Sequence, residues 1–186
     1  RAARDVAGMD TLGGLGINFF EVQEIMADKR GEELRVLSFV MAPSDGSPHP
    51  YTSAADWVDA NTDTMKALLG APRFLINAPG HFMAVHRSVL DGTDPFVLVD
   101  SCVQWQSVLP PVRLVEHIIT SECVRATANR GTSFSSAFAL VRSDPRVNVL
   151  DSWVRGVMMR NADVIARMLD ILQRNFTIAH SATTVT

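Results

Sequence analysis

The spacing of hydrophobic positions changes several times along this chain. In "FFEVQEIMADKR" (19–30), Phe19, Val22 and Met26 fall on one face of a helix. The next stretch, "ELRVLSFV" (33–40), alternates instead and is rich in β-branched and aromatic residues, which is typical of a strand. The Gly-rich residues 1–17 precede both stretches and are predicted to form a loop.

The middle of the chain returns to helical spacing and then to short apolar runs. Residues 53–70 predict a helix, with a possible break near Asn61. Three strands are predicted next, at 73–77, 81–88 and 95–100. Asp91-Gly92 lies between the last two strands and is typical of a tight turn, so these strands should form an antiparallel hairpin.

The last third of the chain predicts two more helices around one strand. A helix is expected over 110–126, a strand over 133–141, and a long helix over 148–176 with a break at Gly156. A flexible tail is expected over 177–186. Since most strands lie in hairpins, the pattern predicts a single α+β domain with a mostly antiparallel sheet and helices packed on it.

The composition excludes several classes of function but does not indicate a particular one. The 186 residues are 47% hydrophobic and 20% charged, as in ordinary globular proteins, and the net charge of −3 gives no footprint for nucleic acid. No apolar run approaches the roughly 20 residues of a membrane span. The two cysteines lack disulfide-framework and metal-ligand spacing, and no cofactor motif is present. We therefore expect an intracellular protein, either cytoplasmic or in an organelle after loss of a presequence.

Two residues of the predicted hairpin suggest catalytic chemistry. His81 begins one strand and Asp100 ends the next, so the turn should bring them side by side at one edge of the sheet. A carboxylate beside an imidazole fixes its tautomer and stabilises its cation, as an activating base requires. The alternative is that His81 is a polar residue at a strand end and that Asp100 merely forms a turn.

The nucleophile that such a pair would activate is not evident in the sequence. Cys102 follows Asp100 too closely to be activated through the same histidine, and Cys123 lies within or at the end of a predicted helix rather than at a helix N-terminus. Ser135 and Ser136 lie in a predicted strand without a nucleophile-elbow motif. Both cysteines are therefore interpreted as structural.

A series of short motifs resembles, in order, the later part of the Josephin domain, the papain-like cysteine protease domain of ataxin-type deubiquitinases. The resemblance extends over roughly residues 9 to 150. Its motifs are "MD" (9–10), "NFFEVQEI" (18–25), "EELRVLSFVMAPS" (32–44), "FLINAPGHFMAVHR" (74–87), "PFVLVDS" (95–101), "LPPVRLVEHI" (109–118) and "SFSSAFALV" (133–141).

The resemblance implies a papain-like fold over residues 18–176, with His81 as the catalytic base and Asp100 in the position of the family's usual Asn. Phe82 stands where the family has Trp, and residues 45–72 form a longer stretch than expected. The family's catalytic Cys, and the Gln that helps to form its oxyanion hole, belong to a segment before the Met-Asp that this sequence does not contain.

Three hypotheses follow from the sequence. The chain is the core of a Josephin-like isopeptidase whose thiol comes from elsewhere, or a catalytically dead Josephin-like subunit that binds other proteins in an assembly, or an unrelated α+β domain. In the first two cases the missing segment would leave an apolar face uncovered. We therefore expect another polypeptide to cover the sheet edge near His81, with ubiquitin or a ubiquitin-like protein as a further candidate partner.

Overall fold

The structure is a computed structural model, and it shows an α+β chain. It describes residues 24, 27, 28, 35–40, 51–78, 81–88, 95–100, 105–128, 138–140, 144 and 146–183. The elements in chain order are β1 (Arg35–Leu37), α1 (Ala54–Leu69), β2 (Arg73–Ala78), β3 (His81–Arg87), β4 (Phe96–Asp100), β5 (Trp105–Leu109), α2 (Pro111–Ala128), β6 (Phe138–Leu140), α3 (Asp151–Met159) and α4 (Ala162–Thr183).

The strands form one sheet in the order β1-β6-β2-β3-β4-β5. All of the pairings among the described residues are antiparallel. Strands β2 to β5 follow each other in sequence and in space, whereas β6 comes last in sequence and lies between β1 and β2. The predicted fold class, an α+β domain with a mostly antiparallel sheet and helices, is therefore confirmed.

One face of the sheet carries the apolar core. Along β2 and β3, alternate residues are buried, among them Ile76 and Val85. On β4 the consecutive residues Phe96, Val97 and Leu98 are all buried, but only Phe96 and Leu98 belong to the main hydrophobic cluster. Buried side chains of all four helices join the same hydrophobic cluster, including Met65, Ile118 and Met168. The helices thus form a layer over this face of the sheet, and the core lies between the two layers.

Helix α1 is continuous, so the break expected near Asn61 does not occur. It starts at an N-cap, where the Ser53 hydroxyl accepts a hydrogen bond from the Asp56 backbone N–H at 3.2 Å. Asn61 is fully buried: its Nδ2 donates to the Trp57 carbonyl at 2.8 Å, and its Oδ1 accepts from the Val40 N–H at 2.7 Å. Asn61 therefore connects the helix to the segment after β1 instead of ending the helix.

The predicted hairpin is present, and the sequence prediction missed one strand beside it. Strands β3 and β4 pair from Arg87↔Phe96 to Ala84↔Val99, and the Ser88 N–H donates to the Pro95 carbonyl at 2.7 Å. The residues of the turn itself, 89–94, lie outside those that the structure describes. Beyond β4, residues 105–109 form the additional strand β5, which pairs with β4.

The long C-terminal helix is interrupted, but not at Gly156. Gly156 lies within α3, and the helical axis breaks at Arg160 and Asn161 before α4 begins. The Asn161 side-chain amide donates to the Val157 carbonyl at 3.1 Å, and the Asn161 backbone carbonyl accepts from the Ile165 N–H at 3.0 Å. Helix α4 then continues to Thr183, so residues 177–183, predicted as a flexible tail, are helical.

Most of the N-terminal predictions lie outside the described residues. These include the loop over 1–17 and nearly all of the helix over 19–30, of which only Glu24, Ala27 and Asp28 are described, as helical and exposed. The strand predicted over 33–40 is shorter in the structure, where β1 covers Arg35–Leu37. Within the part of the chain that is described, no helix is both long and apolar enough to cross a membrane.

Candidate functional site

His81 begins β3 and pairs with Ala78 of β2 at the end of the β2–β3 ladder. Asp100 ends β4, where it is half-buried and pairs with Trp105 of β5. Since β3 and β4 are antiparallel neighbours, the two residues belong to the same end of the sheet. Both strands are inner strands, so this is an end of the sheet and not an edge.

The register offsets the two residues by two positions along the strands. Ala84 pairs with Val99, so Asp100 lies one position further, level with Met83. His81 is two residues beyond Met83, which is about 7 Å along the strand. The structure therefore places His81 and Asp100 diagonally rather than directly opposite one another. Diagonal neighbours on one face of a sheet are within reach of long or aromatic side chains.

Alternation along the strands assigns both positions to the face that the helices cover. Met83 and Val85 of β3 and Phe96 and Leu98 of β4 belong to the main hydrophobic cluster, whereas Val97, which is also buried, does not. Position 81 continues the first series and position 100 continues the second. Both positions therefore belong to the face of the sheet that carries the core, at one end of their strands.

Sequence reasoning missed a buried acidic residue on α2. Glu122 is only 1% exposed, although most residues of the same stripe, such as Ile118 and Ala126, are apolar. Burial raises the pKa of Glu122 to about 8, and Arg125, with Nε 3.9 Å from Glu122 Oε1, lowers it only in part. A Glu at i+4 from Ile118 and i−4 from Ala126, in an apolar helical stripe, is the sequence pattern that could have revealed it.

Arg125 is also buried, and its hydrogen bonds are incomplete. Its Nε and Nη2 atoms are buried, and no hydrogen bond to either is found. Burial lowers the pKa of this guanidinium, while Glu122 raises it. The distance of 3.9 Å between Nε and Oε1 is too long for a hydrogen bond, so the two residues form a loose ion pair at most.

Among the described residues, the only cysteine is Cys123. Cys123 is inside α2 and is half-buried. It lines a cavity of about 420 Å³ between α2 and α4, together with Thr120, Val124, Thr127, Asp163, Val164 and Arg167. This position agrees with the interpretation of Cys123 as structural. Cys102, Ser101, Ser135 and Ser136 lie outside the described residues.

Neither of the two histidines whose side chains the structure describes, His86 and His117, resembles a base in a catalytic pair. His86 is exposed on β3, and its position alternates to the face away from the core. His117 is half-buried on α2, its Nε2 lacks a hydrogen-bond partner, and burial lowers its pKa. In the described part of the chain, no group of three His, Cys, Asp or Glu side chains is arranged to hold a metal ion.

Comparison with known proteins did not identify a relative of this chain. No family model, curated protein or solved structure matches this chain significantly. A function for this chain is therefore inferred from the geometry at the His81 end of the sheet and from the motifs of the sequence.

Proposed function

We propose that this chain is the core of a papain-like cysteine isopeptidase of the Josephin type, which removes ubiquitin or a ubiquitin-like protein. His81 acts as the general base and Asp100 orients it. One observation carries the proposal: His81 opens β3 and Asp100 closes the antiparallel neighbour β4, on the helix-covered face of one sheet. A thiol nucleophile needs this combination of base and orienting group.

The thiol belongs to a residue outside those described, or to another polypeptide. A partner chain covering the sheet near His81 would supply it together with the donors of an oxyanion hole, because neither His81 nor Asp100 can replace these groups. The chain alone is then inactive, and turnover requires the assembled enzyme. Asp100 replaces the family's Asn without loss of function in this scheme, because a carboxylate accepts the imidazole N–H as an amide oxygen does.

The test is hydrolysis of a ubiquitin that carries a fluorescent leaving group at its C-terminus. The enzyme is the natural protein purified with the chains that accompany it. Changing His81→Ala together with Asp100→Ala should lower the rate at least about a hundredfold, as loss of a general base does. The matched control is His86→Ala, five residues along the same strand and exposed, which should leave the rate unchanged. Hydrolysis that survives the double change, or resists a thiol-alkylating reagent, would refute the proposal.

A second candidate is a catalytically dead Josephin-like subunit that binds ubiquitin or holds an assembly together. It is favoured by the position of Cys123, which is in the interior of α2 and faces α4 rather than the sheet end. In that case the purified assembly hydrolyses nothing. The double variant then assembles and binds ubiquitin as the unchanged protein does, which calorimetric titration with ubiquitin would measure.

A further inference from the structure

A cavity of about 280 Å³ lies at the end of the sheet opposite to His81. Strand β3 begins at His81 and ends at Arg87, and Arg87 lines this cavity. Other lining residues also come from places where helices and strands begin or end. They include Leu69 at the end of α1, Phe96 at the start of β4, Pro111 at the start of α2 and Trp153 in the first turn of α3.

The wall of the cavity is mostly apolar and is formed by contacts within the protein. Leu69 and Phe96 are almost fully buried, whereas Leu150 is 59% and Trp153 is 37% exposed. Nη2 of Arg87 donates a hydrogen bond to the Leu69 carbonyl, and the guanidinium Cζ lies 4.9 Å from the centroid of the Phe96 ring. These contacts hold the wall in place, and exposed apolar side chains at its border are typical of a binding pocket.

The size of the cavity indicates what could occupy it. Its volume of about 280 Å³ is just below the range of about 300–1,000 Å³ that small-molecule sites occupy. Nine residues line it, whereas each side of a stable protein–protein interface contributes about 20–30. The cavity therefore suits one large apolar side chain of a short segment better than a cofactor or a second folded copy of this chain.

The segment 147–150 beside the cavity carries backbone groups that make no hydrogen bond. It belongs to no helix or strand, and Leu150 is extended, with φ −78° and ψ 134°. Among the described residues, no partner is found for the N–H or the carbonyl of Asn148 or of Val149. The same segment lines a second cavity of about 400 Å³, so it has open space on both sides. Unpaired backbone groups of this kind are a template for an extended chain.

We propose that the 280 Å³ cavity and the segment 147–150 together form a docking surface for an extended peptide segment of a partner protein. The main chain of the peptide pairs with the backbone of Asn148 or Val149, and one large apolar side chain of the peptide enters the cavity. Main-chain hydrogen bonds supply affinity in this type of recognition, and the pocket supplies specificity. The surface does not include His81 or Asp100, so this inference does not depend on the proposed function.

The test begins with selection of random short peptides displayed on phage against the 186-residue chain. The enriched peptides are then synthesised and titrated calorimetrically. They should share one large apolar residue, and replacing that residue by Ser should weaken binding at least about tenfold. Methylating the backbone nitrogens of a peptide one at a time should weaken binding at alternate positions only, because alternate N–H groups of a strand point to the same side. Absence of enrichment, or an affinity that no methylation lowers, would overturn the proposal.

A variant that keeps the fold shows whether the peptides bind at this surface. Leu150 is the N-cap of α3 and makes no side-chain capping bond, whereas Asp is a preferred N-cap residue. Leu150→Asp should therefore leave the helix intact, place a charge at the border of the apolar cavity and weaken peptide binding at least about tenfold. The matched control is Val124→Asp, equally exposed and about 20 Å along α2 from Pro111, which should leave binding unchanged. Equal affinity of Leu150→Asp and the unchanged chain would contradict the proposal.

Analytical ultracentrifugation identifies the other possible occupant, a second copy of this chain. The proposal expects the unchanged chain and Leu150→Asp to have the same oligomeric state. If the unchanged chain is a dimer and Leu150→Asp is a monomer, a second copy occupies the docking surface and the proposal is wrong.

Discussion

At the scale of single residues, Glu122 makes stability depend on pH. Its pKa is about 8 in the folded chain and near 4.5 when exposed to water. Between these values the folded state binds the proton and the unfolded state does not. The free energy of unfolding therefore falls as the pH rises through this window, by up to about 1.4 kcal/mol per pH unit. In Glu122→Gln this contribution should vanish, which urea unfolding followed by circular dichroism across the window would measure.

The neighbouring His117 has the opposite effect and so must be separated from Glu122. Burial lowers the pKa of His117 below 6.5, so the stability it contributes is present above that value and is lost as the pH falls. Subtracting the Glu122→Gln profile from that of the unchanged protein cancels the His117 contribution. Parallel profiles for the two proteins would mean that Glu122 is ionised in the folded chain throughout the window.

Asn61 connects two parts of the fold through its amide group. Changing Asn61→Ala leaves the Val40 N–H without its acceptor and removes the hydrogen bond to the Trp57 carbonyl. We expect the free energy of unfolding to fall by about 1–3 kcal/mol, as for other buried polar groups that lose a partner. Denaturant unfolding measures the change. Asp59→Ala, on the exposed side of the same helix, should change stability much less, and equal effects would contradict this account.

At the scale of the elements, Gly156 lies within a helix at a position where the structure does not require a glycine. It is exposed in α3, and a Cβ atom added there would meet no other atom within 4 Å. Changing Gly156→Ala should raise the free energy of unfolding by about 0.5–1 kcal/mol, because alanine loses less backbone freedom on folding. The control is Gly70→Ala, where the new Cβ would lie 3.2 Å from the Lys66 carbonyl oxygen and no comparable gain is expected. Thermal unfolding of both variants provides the comparison.

The elements that could be predicted from the sequence are those whose burial matches a simple period. Strands β2, β3 and β4 each bury several apolar residues in a short run, and those runs between turn signals indicated them. Strand β5 could not be predicted from the spacing of its apolar residues. The apolar Val108 and the polar Gln106 are both exposed, whereas the polar Ser107 is half-buried, so the polarity of a residue does not indicate its burial in this strand. The break after α3 was misplaced: Gly156 suggested it, but Gly156 is helical and the break falls at Arg160 and Asn161.

The candidate site was only partly predictable on the same grounds. The hairpin turn located His81 and Asp100 at one end of two neighbouring strands, as observed. Their diagonal offset depends on β3 extending beyond the end of β4, and no local pattern encodes that difference in length. Glu122 was missed because a periodicity search treats an acid in an apolar stripe as an exception, although the tertiary structure buries it.

At the scale of the whole molecule, stability depends on the layer between sheet and helices. Leu98, at the centre of β4, is fully buried there, whereas Val108 on the neighbouring strand is 61% exposed. Changing Leu98→Ala should lower the free energy of unfolding by about 2–5 kcal/mol through the cavity it leaves. Val108→Thr should change it by no more than about 0.5 kcal/mol. Denaturant unfolding measures both changes. If the two variants lost similar amounts of unfolding free energy, the core would not lie between the sheet and the helices.

The position of β6 has a consequence for how the protein is made. Strand β1 emerges from the ribosome early, but its partner β6 emerges only after β2, β3, β4 and β5 have been synthesised. Until then the nascent chain carries a β2 strand with one side open, which is prone to pair with other chains. The four-strand meander can fold on its own contacts during translation, and late insertion of β6 would then be the slow, non-local step. A ribosome-stalled chain that stops before Phe138 should therefore recruit chaperones that one stopping after α4 does not.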